Sequence, residues 1–300
     1  MGEVVDFEQR LKEVADKVTV ALDQLIPPAS GPEANLMRAM RHAALANGKR
    51  MRPFFLLEAG AMFEAPEKSL LRAAAALECV HCYSLVHDDL PCMDDDALRR
   101  GRPTSHVAFD VPTATRVGYL LVPVAAEELA RAGEEMGLDA ATVGRLASEL
   151  FEAGGIRGMV GGQWRDLEAE GRRLDLAGLQ EVHGGKTGAL IAASVVLGGI
   201  AAGAPPDRLE ALRAFGTEIG LAFQVADDVL DATRTSEQLG KTAGKDAEVA
   251  KSTYVGLLGV SAAAEAARRH ADRGVRALEV AGLADGALAP LARYIVDRTS

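Results

Sequence analysis

The sequence predicts an all-α fold of ten or more helices, in a single domain spanning residues 1–300. Three observations point there. Aromatic residues are only 4% of the chain while alanine and leucine abound, a balance that favours helices over strands. Apolar residues recur at helical spacing in one segment after another. No apolar–polar alternation runs long enough to make a strand, and no repeat of 20 to 50 residues or low-complexity tract interrupts the pattern.

The elements follow in order. Residues 3–25 carry an amphipathic pattern and predict a first helix, broken by the proline-rich run 27–32. A second helix, 33–46, ends at Asn47-Gly48. Pro53 suits the first turn of a third helix reaching about Phe63. Residues 68–89 are apolar at helical spacing up to a turn at Leu90-Pro91. Further helices are expected over 113–132, 139–158, 176–204, 207–232 and 261–281, with a short last one at 287–297. No linker divides the chain.

Composition narrows the function. Charged residues are 25% and hydrophobic ones 48%, an ordinary globular balance. A formal charge of −10 argues against a nucleic-acid binder. Cys79, Cys82 and Cys92 cannot build a disulfide framework, so a reducing compartment, the cytoplasm, is expected. The N-terminus lacks the apolar core of a secretory signal. The apolar run from Gly188 to Ala204 falls just short of the roughly 18 residues of a membrane span and reads as a buried core helix. Cys79 and Cys82, with His81 and His87 nearby, have no second CxxC and no βαβ context, so they are simply neighbours on a helix.

The chemistry lies in two acidic stretches with basic companions. On the helix at 216–232, Gln224, Asp227, Asp228 and Asp231 share one stripe, amid Ile219, Leu221, Phe223, Val225, Val229 and Leu230. Carboxylates there are costly and mutually repelling unless a cation binds them; the bland alternative is a solvated acidic face. In the second stretch Asp88 and Asp89 end a helix, and Asp94, Asp95 and Asp96 follow a proline. The Asp88–Asp94 spacing of six does not align on a straight helix, so the chain must bulge to bring Asp94 back toward Asp88. All the ligands offered are oxygens, which suits Mg²⁺. Arg99, Arg100 and Arg102 come directly after, giving cations for phosphates beside carboxylates for metals. A third patch, Gly48-Lys49-Arg50-Met51-Arg52-Pro53, runs into a helix N-terminus that favours an anion, although a plain surface loop would look the same.

These residues resemble the trans-prenyltransferases, the short-chain isoprenyl diphosphate synthases of the polyprenyl synthetase family, most closely the bacterial farnesyl and plant-type geranylgeranyl diphosphate synthase branch. GKRMRP (48–53), DDLPCMD (88–94), RRGRPTSH (99–106), GGQ with Asp166 (161–166), HGGKTG (183–188), FQVADDVLD (223–231) and GKTAGKD (240–246) match in order, from about Arg38 to Arg298. The resemblance implies an all-α fold around a central cavity, a homodimer, and Mg²⁺-dependent condensation of isopentenyl diphosphate with allylic diphosphates. It implies that Asp88, Asp94, Asp227, Asp228 and Asp231 hold Mg²⁺, three ions with diphosphate bound. Arg99, Lys186, Thr187, Gln224 and Lys241 would contact the allylic substrate, with Lys251 a further phosphate contact; Lys49, Arg52, His81 and Arg100 would hold isopentenyl diphosphate. Asp88, Asp94, Arg99, Lys186, Asp227 and Lys241 are thus the expected catalytic set. No nucleic acid, membrane span or side-chain nucleophile is implied.

Product length is expected to depend on what lies beneath the first acidic motif. Tyr83, with Ser84 beside it, is five residues before Asp88, about 7–8 Å down a helix. In the resembling family an aromatic there fits a C15 product and a small residue or Met fits C20; Tyr83 could also be simply a core aromatic. His87 is either a support for Asp88 or a core histidine. Lys186 either snorkels or serves its motif. Lys241 and Lys245 belong to a loop that is either a lid or merely exposed. The chain departs from the family at Val111, Tyr119 and Trp164, which touches packing and tunnel shape. A C20 synthase is the main rival; a class I terpene cyclase and a non-catalytic prenyltransferase subunit are weaker, because both acidic motifs and the GKRMRP loop are present.

Overall fold

A computed structural model of the chain describes residues 7–233 and 252–297. The fold is all-α. Its helices are α1 (Phe7–Leu25), α2 (Ala34–Ala44), α3 (Met51–Ala61), α4 (Glu67–Asp88), α5 (Ser105–Ala108), α6 (Val111–Glu135), α7 (Ala140–Gly154), α8 (Met159–Glu168), α9 (Leu176–His183), α10 (Ala189–Ala201), α11 (Pro206–Thr233), α12 (Tyr254–Leu258), α13 (Val260–Val280) and α14 (Leu288–Asp297). A single hairpin, β1 (Leu98–Arg99) with β2 (Arg102–Pro103), is the only sheet among the described residues. The residues group into two compact units, one of residues up to 57 with 65–147, the other of 58–64 with those from 148 onward.

In the first unit α4 packs lengthwise on α6. Residues 73–80 of α4 are buried on every side, and all but Glu78 carry small or apolar side chains. Arg72 on α4 reaches Glu128 on α6 at 2.7 Å, so the carboxylate buried at that interface is paired. Asp110 caps α6 by accepting from the Thr113 amide at 2.6 Å, and Pro112 occupies the first turn, where no amide hydrogen is missed. α1 buries Val14, Val18 and Leu22, one turn apart.

In the second unit α11 lies against α10 and α13. Residues 190–201 of α10 are buried throughout. Glycines set the close approaches: a Cβ on Gly220 would stand 2.6 Å from the Gly188 Cα, and one on Gly216 2.6 Å from the Ala192 Cα. At the α11–α13 interface Glu218 accepts from His270 Nδ1 at 2.7 Å and Arg273 Nε at 3.0 Å. Burial works against its charge, but these partners outweigh it and hold the carboxyl below its ordinary pKa.

The expected helices are present with three refinements. The segment read as one helix over 176–204 contains a π-helical turn at Gly184–Gly188 between α9 and α10. The helix expected over 139–158 stops at Gly154, and α8, a helix that was not expected, begins at Met159. The short helices α5 and α12 were not expected. Two stretches, Glu67–Asp88 and Leu176–Ala201, are long and apolar enough to cross a bilayer, but 78% and 72% of their apolar windows are buried inside the chain, as core helices are.

Candidate active site

Each unit carries one acidic motif. In the first unit α4 ends at Asp88, and the chain turns back through Leu90-Pro91. The Asp94 amide donates to the Asp88 carbonyl at 2.8 Å, so the bulge demanded by the six-residue spacing is present. Met93 and Asp95 donate to the Leu90 carbonyl, which closes the turn. Asp88 and Asp94 are half-buried.

Asp89, by contrast, is buried, and Arg99 grips it with Nε at 2.7 and 3.0 Å from its two carboxylate oxygens. Burial pushes the Asp89 carboxyl above its ordinary pKa despite this partner. Arg99, expected on the allylic substrate, is therefore first of all the counter-ion of Asp89. Arg100 and Gly101 form the two-residue turn between β1 and β2, both at positive φ (54° and 74°), the geometry of a tight hairpin. That turn sends the Arg100 guanidinium to the Asn47 carbonyl at 2.8 Å. A Cβ on Gly48 would lie 2.1 Å from Arg100 Nη1, so any side chain there would push that guanidinium aside.

The GKRMRP loop thus meets the RRGR turn. Arg52 Nη1 donates to His81 Nε2 at 3.3 Å. Burial, and then the charges of Arg52, Arg100, Arg99 and Arg50, hold the His81 imidazole well below its usual pKa, so the ring is a neutral acceptor among guanidinium groups. Lys49 is exposed. Three of the four residues expected to hold isopentenyl diphosphate, Arg52, His81 and Arg100, are therefore brought together around one loop. The loop's middle cation points elsewhere. Arg50 is 4% exposed and donates to Glu78 and to the carbonyls of Ala44 and Ala46 at 2.8 and 2.9 Å. Sequence reasoning read Arg50 only as part of an anion-favouring basic patch and gave Glu78 no role.

Tyr83 and His87 stand one turn apart on α4, with rings edge-to-face at 5.7 Å, and His87 meets Tyr119 in the same way at 5.9 Å. His87 Nε2 donates to the Thr115 carbonyl at 3.2 Å, and Gly118 leaves room for its ring, since a Cβ there would be 2.0 Å from Nε2. His87 is thus tied to α6. Ser84 is buried and donates to the His81 carbonyl. The departures Val111, Tyr119 and Trp164 are all exposed, so none disturbs core packing.

In the second unit the π turn carries Lys186 and Thr187. Lys186 Nζ donates to Asp166 on α8 at 2.6 Å. Thr187 Oγ1 donates to Gln224 Oε1 at 2.9 Å, and Gln224 Nε2 to Asp228 at 3.3 Å. The other Asp228 oxygen accepts the Tyr254 amide at 2.8 Å. Asp228 is buried by these contacts, whereas Asp227 and Asp231, one turn apart, are half-buried. Tyr254 stacks on His183 at 5.7 Å, and burial holds that imidazole down at about 4. Tyr254, a partner of Asp228, was not anticipated; its only signal was its place shortly after the acidic helix. Lys241, Lys245 and Lys251 lie outside the described residues.

The donors fit Mg²⁺. Half-buried aspartates offer oxygen alone, in pairs set by a bulge (Asp88, Asp94) or by one helical turn (Asp227, Asp231). Among the described residues no three carboxylate, imidazole or thiolate groups form a ready-made cage. Mg²⁺ held through one or two carboxylates, with water and substrate phosphate completing its shell, needs none.

Comparison with known proteins places this arrangement. The polyprenyl synthetase family profile matches residues 33–277. The chain is 42% identical to the farnesyl diphosphate synthase of Escherichia coli, covering 98% of this chain and 99% of that protein. It is equally 42% identical to an Arabidopsis thaliana protein, the large subunit 1 of a heterodimeric geranylgeranyl pyrophosphate synthase, over 88% of this chain and 71% of that one. Among solved structures it is similar to an FPP/GFPP synthase from Zymomonas mobilis (TM-score 0.85, 37% identity, 97% of this chain and 99% of that one). It is also similar to a Helicobacter pylori geranyltransferase complexed with magnesium and isoprenyl diphosphate (TM-score 0.82, 31% identity, 100% and 98%). The chain belongs to the polyprenyl synthetase family and is a prenyltransferase.

Proposed function

We propose that the chain condenses isopentenyl diphosphate with dimethylallyl and geranyl diphosphates to make the C15 product farnesyl diphosphate, as one domain, in the cytoplasm and as a homodimer. The observation that carries the reading is the first acidic bulge, where Asp94 returns to Asp88 in the same unit that gathers Arg52, His81 and Arg100. One cluster offers carboxylates for a metal-bound diphosphate; the other offers cations and a neutral imidazole for a diphosphate that needs no metal.

In this reading Asp88, Asp94, Asp227, Asp228 and Asp231 would hold Mg²⁺, which would supply positive charge for the allylic leaving group. Lys186, Thr187, Gln224, Lys241 and Lys251 bind that diphosphate. Lys186 is held beside Asp166, so substrate oxygens have only to compete with that carboxylate for it. Lys49, Arg52, His81 and Arg100 orient isopentenyl diphosphate, and this positioning supplies much of the rate. The allylic C1–O bond breaks with its electron pair leaving on diphosphate. The isopentenyl double bond attacks C1 through C4, a new C–C bond forms, and C2 loses a proton to the departing diphosphate. No side chain of the protein becomes covalently attached.

Tyr83 supports the C15 assignment: its ring is held edge-on by His87, which is itself fixed to the Thr115 carbonyl. The exposed Val111, Tyr119 and Leu120 of α6 support a self-association surface. The second reading, a C20 product, is favoured by the equal 42% identity to the Arabidopsis geranylgeranyl relative. The test incubates purified protein with Mg²⁺, isopentenyl diphosphate and each of the C5, C10 and C15 allylic diphosphates, then chromatographs the dephosphorylated products. Accumulation at C15 with the C15 substrate left unextended is expected. Extension to C20 would replace the product assignment, and no product from any allylic substrate would overturn the function.

A further inference from the structure

We propose that Arg50 and Glu78 are a positioning pair for isopentenyl diphosphate, acting through the loop that presents Lys49 and Arg52; this rests on the reading of that loop as the isopentenyl subsite. The three cations of the loop divide by direction. Lys49 is exposed and Arg52 half-buried against His81, while Arg50, between them, turns inward to 4% exposure. Its backbone adopts φ +48°, a left-handed conformation uncommon for a side-chain-bearing residue. Something must hold it there, and three bonds do. Nη1 meets Glu78, 2% exposed at the side chain, and Nη2 takes the carbonyls of Ala44 and Ala46, just where α2 ends.

The pair links two parts of the subsite. Glu78 stands on α4 three residues before His81, one turn along the same helix. Arg50 immediately precedes α3, whose second residue is Arg52. Fixing Arg50 to Glu78 therefore fixes the start of α3 against α4, and with it the 3.3 Å contact between Arg52 and His81. From the solvent side Arg100 holds the Asn47 carbonyl of the same loop. The backbone from 44 to 50 is thus clamped by one buried and one exposed guanidinium. A lysine at position 50 would supply charge without the planar fork that reaches a carboxylate and two carbonyls at once.

A merely structural ion pair makes a different prediction, because replacing a buried pair with apolar residues of similar volume is often neutral or stabilising. The deciding variant is the double substitution Arg50→Met with Glu78→Leu in the full chain. It is expected to keep its helical circular dichroism and its melting temperature within about 5 °C. Its KM for isopentenyl diphosphate should rise at least tenfold, about 1.4 kcal/mol, while KM for geranyl diphosphate stays within about twofold. A folded double variant with an isopentenyl KM within about twofold of wild type, or with both KM values raised together, overturns the proposal. If the double variant does not fold, Glu78→Gln decides: about a threefold rise confined to isopentenyl diphosphate is expected, and no rise overturns the pair. Arg50→Lys with wild-type KM would also overturn it. Failure of the wild-type protein to consume isopentenyl diphosphate with any allylic partner would overturn the functional reading, and the pair with it.

Discussion

Gly162→Ala tests how tightly α8 seats against the π turn that carries Lys186 and Thr187. A Cβ at position 162 would lie 2.0 Å from the Lys186 amide nitrogen, 2.5 Å from the Gly185 carbonyl carbon and 2.7 Å from the Lys186 Cα. Every one of those atoms is backbone, so no side chain can swing aside. Ordinary carbon contacts sit near 3.5–4.0 Å, so α8 and the turn must separate by about 1.5 Å. Overpacking of this kind costs about 3 kcal/mol, the upper part of the usual range. For a chain of this length that is a melting-temperature drop of about 6 °C. The separation also stretches the 2.6 Å Lys186–Asp166 pair and the 2.9 Å Thr187–Gln224 bond. KM for the allylic diphosphate should therefore rise, by about tenfold, with KM for isopentenyl diphosphate little changed. The assay is thermal unfolding by far-ultraviolet circular dichroism, followed by steady-state kinetics on both substrates. A melting temperature within about 1 °C of wild type with an unchanged allylic KM would refute the reasoning, because the close approach would then not exist.

Gly48→Ala should do the reverse: the added Cβ meets only the Arg100 guanidinium, 2.1 Å away and able to move, so thermal stability should hold within about 1 °C while the isopentenyl KM rises about tenfold. Tyr83→Ala should shift chromatographed products from C15 toward C20; an unchanged profile would mean that Tyr83 is only a packed ring beside His87. His183 has a folded-state pKa of about 4 against 6.5 when unfolded. The unfolded chain therefore takes the proton first on acidification, so this contribution to stability is full above about pH 6.5 and is lost as pH falls toward 4. The loss is at most about 3 kcal/mol. Urea midpoints measured from pH 7 to 4 should fall more steeply for wild type than for His183→Gln, and parallel slopes would contradict the assignment.

What the sequence made legible, and what it did not, divides along physical lines. Long periodic helices were readable because burial follows their spacing: Val14, Val18 and Leu22 on α1, and the apolar sides of the aspartate stripe on α11. The bulge at Asp94 was readable because six residues cannot align on a helix. α8 was not, since its glycines lower helix propensity and the exposed Val160 and Trp164 blur its apolar face. The π turn at Gly184–Gly188 was not, because the apolar pattern continues through it. Within the candidate site the identity of the charged residues was legible, but their direction was not. Arg50 and Arg52 are both arginines of one motif, yet one is buried on Glu78 and the other lies against His81, which depends on helices far apart in sequence. The Tyr254 amide on Asp228 is a backbone contact, invisible to any reading of side-chain types.

The central claim is that the acidic motifs and the arginine–histidine cluster serve one condensation reaction. The most direct test is stoichiometric: count pyrophosphate released against isopentenyl diphosphate consumed, with geranyl diphosphate as co-substrate, with and without Mg²⁺. The account predicts one pyrophosphate per isopentenyl diphosphate consumed, and neither change after chelation. Pyrophosphate released without consumption of isopentenyl diphosphate, or no release at all in the presence of Mg²⁺, would contradict it.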